Sequence, residues 1–154
     1  MRKREWLLLF VGISGPDRTE IPPIDPVRVM KGLFLFGQQV ELPPDERYHF
    51  VPYLYGPCSF EIYRDLDGLV EHGLIAEEKP WGRSWNLYRP TAQGRRVVQE
   101  IAAKIPASHL EGLAEIKRYV LSVPFNKLLR DVYREYPEYA TNSVFSPRDP
   151  HTVQ

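Results

Sequence analysis

The 154-residue chain has a single cysteine, Cys58, so it cannot close an intramolecular disulfide, and a thiolate zinc site would lack its second ligand. A lone thiol suits a reducing compartment, and a cytoplasmic location is expected. Histidine is as sparse: His49, His72, His109 and His151 are scattered without the short spacing that metal ligation needs, so no metal is expected. Neither sign of charge is in excess, with 20 basic and 20 acidic residues. No global field therefore draws the chain to nucleic acid or to an anionic membrane, and any basic surface has to be local. The apolar run Trp6 to Gly12 is far short of the ~20 residues of a membrane span. Charged residues precede it as in a signal peptide, but no small-residue cleavage site follows, and it reads as the first helix of the fold. Glycine-rich phosphate loops are absent, and Ser59 has no spaced base. Asp65 and Asp67, two apart on a helix, point in different directions and cannot act as an acid/base pair. Catalysis and a bound cofactor are left without a residue set.

What is present is 43% hydrophobic content, enough for one compact core. The first helix should span about Arg2 to Ser14, ended by Gly15-Pro16. Asp25-Pro26 opens a second helix, the aspartate capping free amides and the proline fitting the first helical position. Tyr48 to Tyr55 reads as a short aromatic strand ended by Gly56-Pro57. Ser59 is placed to cap a third helix with Ile62, Tyr63, Leu66, Leu69 and Val70 inward, closed by His72-Gly73. Leu74 to Ala76 and Trp85 to Tyr88 predict a hairpin with Pro80 and Gly82 near its tip. Thr91 caps a fourth helix to about Lys104. Ser108 and Glu111 have capping-box spacing for a fifth helix, which Pro124 breaks. A last helix carries an apolar stripe at Phe125, Leu128, Leu129, Val132, Tyr133 and Tyr136. The tail from Glu138 has no period and is expected to be extended or partly disordered.

One stretch is more specific. Residues Arg64-Asp65-Leu66-Asp67-Gly68-Leu69-Val70-Glu71-His72-Gly73-Leu74-Ile75, a charged hairpin, and Tyr88-Arg89-Pro90-Thr91-Ala92-Gln93-Gly94 together resemble the winged-helix segment of bacterial regulators of the PadR and MarR kind. Pro90 stands where that pattern has leucine. A second resemblance lies upstream. Val29-Met30-Lys31-Gly32-Leu33-Phe34-Leu35-Phe36, followed by Phe50-Val51-Pro52-Tyr53-Leu54-Tyr55-Gly56-Pro57-Cys58-Ser59, is similar to the signature of small bacterial proteins related to the Panacea domain. That group resembles phage-associated and toxin-neutralising proteins. The implied fold is mainly α with a small β-hairpin: a winged helix-turn-helix over residues 1–105, a C-terminal helical hairpin over 106–137, and an extended tail over 138–154.

The first resemblance implies a non-catalytic regulator that binds double-stranded DNA as a homodimer. Tyr63 and Arg64 on the third helix, Lys79, Arg83 and Arg89 on the wing, and Arg95 and Arg96 on the fourth helix are the candidate DNA contacts. Arg2, Lys3 and Arg4 could extend the basic rim. The stripe Phe125, Leu128, Leu129, Val132, Tyr133 and Tyr136 is the candidate dimer or partner interface. The alternative is a module that binds a protein, such as an antitoxin or a defence-associated subunit, because the third helix carries Glu61, Asp65, Asp67 and Glu71 against Arg64 alone. Trp81 is expected to pack on its own hairpin. Tyr48, Phe50, Tyr53, Tyr55 and Phe60 are expected in the core, since alternate strand residues must bury.

Overall fold

A computed structural model describes residues 1–14, 20–82 and 85–143. Helix α1, Lys3–Gly12, lies at the centre: every residue from Trp6 to Gly12 is buried, enclosed by the helices that follow. Burial on all sides explains a continuous apolar run in place of a one-faced stripe. No helix among the described residues is long and apolar enough to cross a membrane.

Helix α2, Pro26–Gln39, starts where the sequence places it. Asp25 Oδ1 accepts the Arg28 amide at 2.8 Å, and its other oxygen pairs with the Arg28 guanidinium at 2.7 Å. Strand β1, Val51–Tyr53, pairs antiparallel with β2, Gly56–Cys58. The aromatic segment is thus a tight hairpin, where the sequence predicts one strand ended by Gly56-Pro57. Gly56, at φ +85°, turns the chain back, and Pro52 faces Pro57 at a position where the ladder needs no N–H.

Helix α3, Phe60–Glu71, stops at His72, and Gly73 at φ +74° redirects the chain. Strands β3, Ile75–Glu78, and β4, Leu87–Pro90, form the expected hairpin, with Ile75 opposite Pro90. Ile24, between α1 and α2, adds to its edge: the Ile24 amide donates to the Tyr88 carbonyl at 2.9 Å and the Tyr88 amide returns the bond at 2.8 Å. Helix α4, Ala92–Ala102, is capped by Thr91, whose Oγ accepts the Gly94 amide at 3.0 Å and donates to the Gly73 carbonyl at 2.6 Å. One side chain therefore ties the end of α3, the base of the hairpin and the start of α4.

Helices α5, Ala107–Ser122, and α6, Phe125–Glu135, complete the core. The expected Ser108–Glu111 box does not cap α5. The helix begins two residues earlier, with Pro106 at its cap, and both side chains are exposed. Leu113, Val120, Leu128 and Val132 belong to the same buried cluster as Phe10 and Met30, so the C-terminal helices share the core of the N-terminal ones. Residues 138–143 are not extended, as the missing period suggested. A 3₁₀ turn over Pro137–Ala140 sets the Tyr139 ring 4.7 Å from Phe34, and Asn142 Nδ2 donates to the Pro52 carbonyl at 3.3 Å. Residues 144–154 lie outside the described residues.

Candidate macromolecule-binding face

The inward face of α3 is Ile62, Leu66 and Leu69, each almost fully buried, a spacing of four and three that sets which residues must face out. Phe60, Tyr63, Asp67 and Glu71 are out of phase with that face, and all four are exposed. Tyr63, predicted inward, is 38% exposed, and Phe60, predicted as core, is 53% exposed. The Tyr53 ring stands edge-on to Phe60 with centroids 5.1 Å apart, and Tyr53 and Leu54 of the β1–β2 turn are themselves exposed. The aromatic cluster is thus divided. Tyr48 is buried and Phe50 packs edge-on to Phe34, whereas Tyr53 and Phe60 are on the surface.

The charges on α3 divide in the same way. Glu61 is paired with Lys3 at 2.6 Å, which also brings the start of α1 beside the start of α3. Asp65 accepts the Tyr48 hydroxyl at 2.7 Å, and burial together with that bond holds the phenol well above its ordinary pKa. Arg64 is exposed. Among the described residues, no hydrogen bond or ion pair joins the side chains of Asp67 or Glu71 to a partner.

On the β3–β4 hairpin, Arg89 is not free for a ligand. Its Nε lies 2.8 Å from one Glu78 oxygen and its Nη2 donates to the other at 3.0 Å. Glu77 accepts Asn86 at 2.5 Å, and Lys79 is exposed. Arg83 lies outside the described residues. Arg95 and Arg96 are exposed on α4, beyond the Thr91–Gly94 junction, and belong to neither α3 nor the hairpin. Between Phe60 and Arg89 the sequence holds six carboxylates, at Glu61, Asp65, Asp67, Glu71, Glu77 and Glu78, against four basic side chains at Arg64, Lys79, Arg83 and Arg89. Of the described residues predicted for DNA, Tyr63, Arg64, Lys79, Arg95 and Arg96 are exposed and Arg89 is paired with Glu78.

Trp81 departs furthest from expectation. In place of packing on its hairpin it is 97% exposed, next to Gly82 at φ +77°. A tryptophan that buries nothing contributes nothing to the core, so Trp81→Ala should change the unfolding free energy by less than about 0.5 kcal/mol in a urea titration.

The predicted interface stripe on α6 is turned inward. Leu128, Leu129, Val132 and Tyr133 are each 3% exposed or less within the single chain, and Tyr136 packs 5.0 Å from Phe34. The Phe125 ring meets Tyr55 edge-on, with the Arg28 guanidinium 5.9 Å from its ring. An apolar period reports that a face is covered without saying by what, and here α2, β2 and the 3₁₀ turn after α6 cover it.

Sequence reasoning also missed two buried lysines. Lys31 Nζ donates to the Pro57 carbonyl at 3.1 Å, and Lys117 Nζ donates to the carbonyls of Val11 and Ile13 at 2.9 and 2.6 Å. Burial lowers their pKa values to about 8 and about 7. Their signal was their position: Lys31 lies amid Val27, Met30 and Phe34, and Lys117 one residue after Ile116. Comparison of the sequence with protein-family models and with curated proteins gives no match.

Proposed function

We propose that this chain is a non-catalytic binding module on a winged helix-turn-helix scaffold with a C-terminal helical extension, and that the face formed by α3 and its flanking hairpins docks a protein partner. The scaffold reading is supported by the order α1, Ile24 bridge, α2, α3, β3, β4, in which the hairpin beside α3 gains a third edge from the segment between the first two helices. The observation that carries the function is the exposure of Tyr53, Leu54, Phe60 and Tyr63 around α3, with Trp81 on the hairpin that follows. Tryptophan and tyrosine are the side chains that dominate protein interfaces, because they bury large areas at small entropic cost. Six carboxylates on the same segment would repel phosphates.

Duplex DNA is the second reading, favoured by the projecting hairpin with Lys79 and by Arg64 on the helix that would enter the groove. Two measurements separate the readings. The native protein purified at high salt should retain a co-eluting protein that the Phe60→Ala/Trp81→Ala variant loses, a weakening of about tenfold or more for anchor side chains. Wild-type protein that elutes alone, yet shifts duplex DNA with a steep salt dependence abolished by Lys79→Glu and Arg83→Glu, overturns the protein reading and establishes the other. Mass measurement on the same column identifies a homodimer, in which the partner is a second copy.

A further inference from the structure

The outward residues of α3 form one stripe. Phe60, Tyr63, Asp67 and Glu71 step by three, four and four residues, so they share a side of the helix over about 16 Å. Its N-terminal end is aromatic and its C-terminal end acidic. Glu71 stands in the last turn, at the negative end of the helix dipole, with Asp67 one turn before it, and α3 has no basic residue in its last turn. A carboxylate at Glu71 therefore adds nothing to the stability of the helix. Arg64, the one basic side chain of α3, makes no ion pair with either acid. The ring faces of Phe60 and Tyr63 are also negative, through their quadrupoles. Arg64, four residues after Phe60 and three before Asp67, borders the stripe as its one cation; every other group but the apolar ring edges attracts a cation.

Resting on the protein-docking reading above, we infer that the partner segment seated on this stripe carries arginine, with its guanidinium plane over Phe60 or Tyr63 and its N–H groups directed to Asp67 and Glu71. Arginine suits the stripe better than lysine, because a planar, weakly hydrated cation stacks on a ring while donating in parallel to a carboxylate. The charge complementarity also argues against a nucleic acid or an acidic peptide as the occupant.

The test titrates the isotopically labelled full chain, observed by NMR, with the peptide acetyl-Leu-Arg-Leu-Leu-Arg-amide and with its counterpart in which citrulline, equal in shape but neutral, replaces both arginines. The expected result is a saturable shift centred on the Phe60, Tyr63, Asp67 and Glu71 signals, about tenfold weaker with citrulline. In the Asp67→Asn/Glu71→Gln variant, which relieves the helix terminus and should fold at least as well, binding of the arginine peptide weakens by about fivefold while the citrulline peptide is unaffected. Equal binding of both peptides at this stripe overturns the arginine inference and leaves protein docking standing. Absence of any shift with the arginine peptide at millimolar concentration, or shifts confined to other surfaces, overturns it as well. If the α3 signals instead move with duplex DNA, the docking reading falls too.

Discussion

Gly94→Ala is expected to destabilise the fold by about 3 kcal/mol, at the upper end of what overpacking costs. A Cβ on Gly94 would lie 1.8 Å from the Leu74 carbonyl oxygen and 2.9 Å from the carbonyl carbon, and backbone cannot rotate out of the way as a side chain can. Helix α4 would have to retreat. That movement would break the Thr91 bonds to Gly73 and Gly94, and it would lift Val98 from α1. For a chain of this size the melting temperature should fall by roughly 6–12 °C. Gly68→Ala is the control: it lies within α3, with no atom within 4 Å of the added carbon, and should stabilise by about 0.5–1 kcal/mol through the reduced entropy of the unfolded chain. Urea unfolding followed by circular dichroism reads both. A Gly94→Ala variant within 1 kcal/mol of wild type, a margin well below the ordinary cost of a core clash, would mean that α4 does not approach Leu74 so closely.

The Thr91–Gly94 junction was also among the most legible parts of the sequence, for the same reason that it is sensitive. A cap, a turn glycine and a helix start are local, and their chemistry lies in consecutive residues: Asp25-Pro26, His72-Gly73 and Thr91 all act where their types predict. What crosses the fold was not legible. The Ile24 bridge to Tyr88 joins positions far apart in the chain, and no periodicity in either segment announces it. Nor does an aromatic residue declare its side. Tyr48 and Tyr53 have the same composition around them, yet one bonds to Asp65 inside and the other meets Phe60 at the surface. The phase of α3 held the missing information. With Ile62, Leu66 and Leu69 inward, Phe60 and Tyr63 have to face out, and that step needs the helix boundaries before the aromatic count. The α6 stripe failed differently: its apolar face was read correctly, but its cover comes from the same chain.

Lys117 offers the other large effect, as a dependence of stability on pH. The residue is 2% exposed, and its ammonium supplies hydrogens to the carbonyls that end α1, a helix with no basic residue in its own last turn. Burial lowers its pKa to about 7, against about 10.4 in the unfolded chain. Below pH 7 both states carry the proton, and the folded state bears the full cost of a buried charge. As the pH rises from 7 towards 10 the unfolded state binds more protons than the folded one, so stability climbs, by a few kcal/mol at most. Lys31, lowered to about 8, contributes with the same sign over a narrower window. Above pH 10 the trend reverses, because tyrosines in the unfolded chain ionise while Tyr88, pushed up to about 12 by burial, keeps its proton. Lys117→Met removes the titration together with the two hydrogen bonds. At pH 6.5 its loss of the bonds is partly offset by relief of the buried charge; at pH 9.5, where the neutral amine still donates to Val11 and Ile13, nothing offsets it. The gap between variant and wild type in urea unfolding should therefore widen by roughly 2 kcal/mol between the two pH values. A gap that stays constant would mean that Lys117 keeps its ordinary pKa, with water reaching its ammonium at the end of α1.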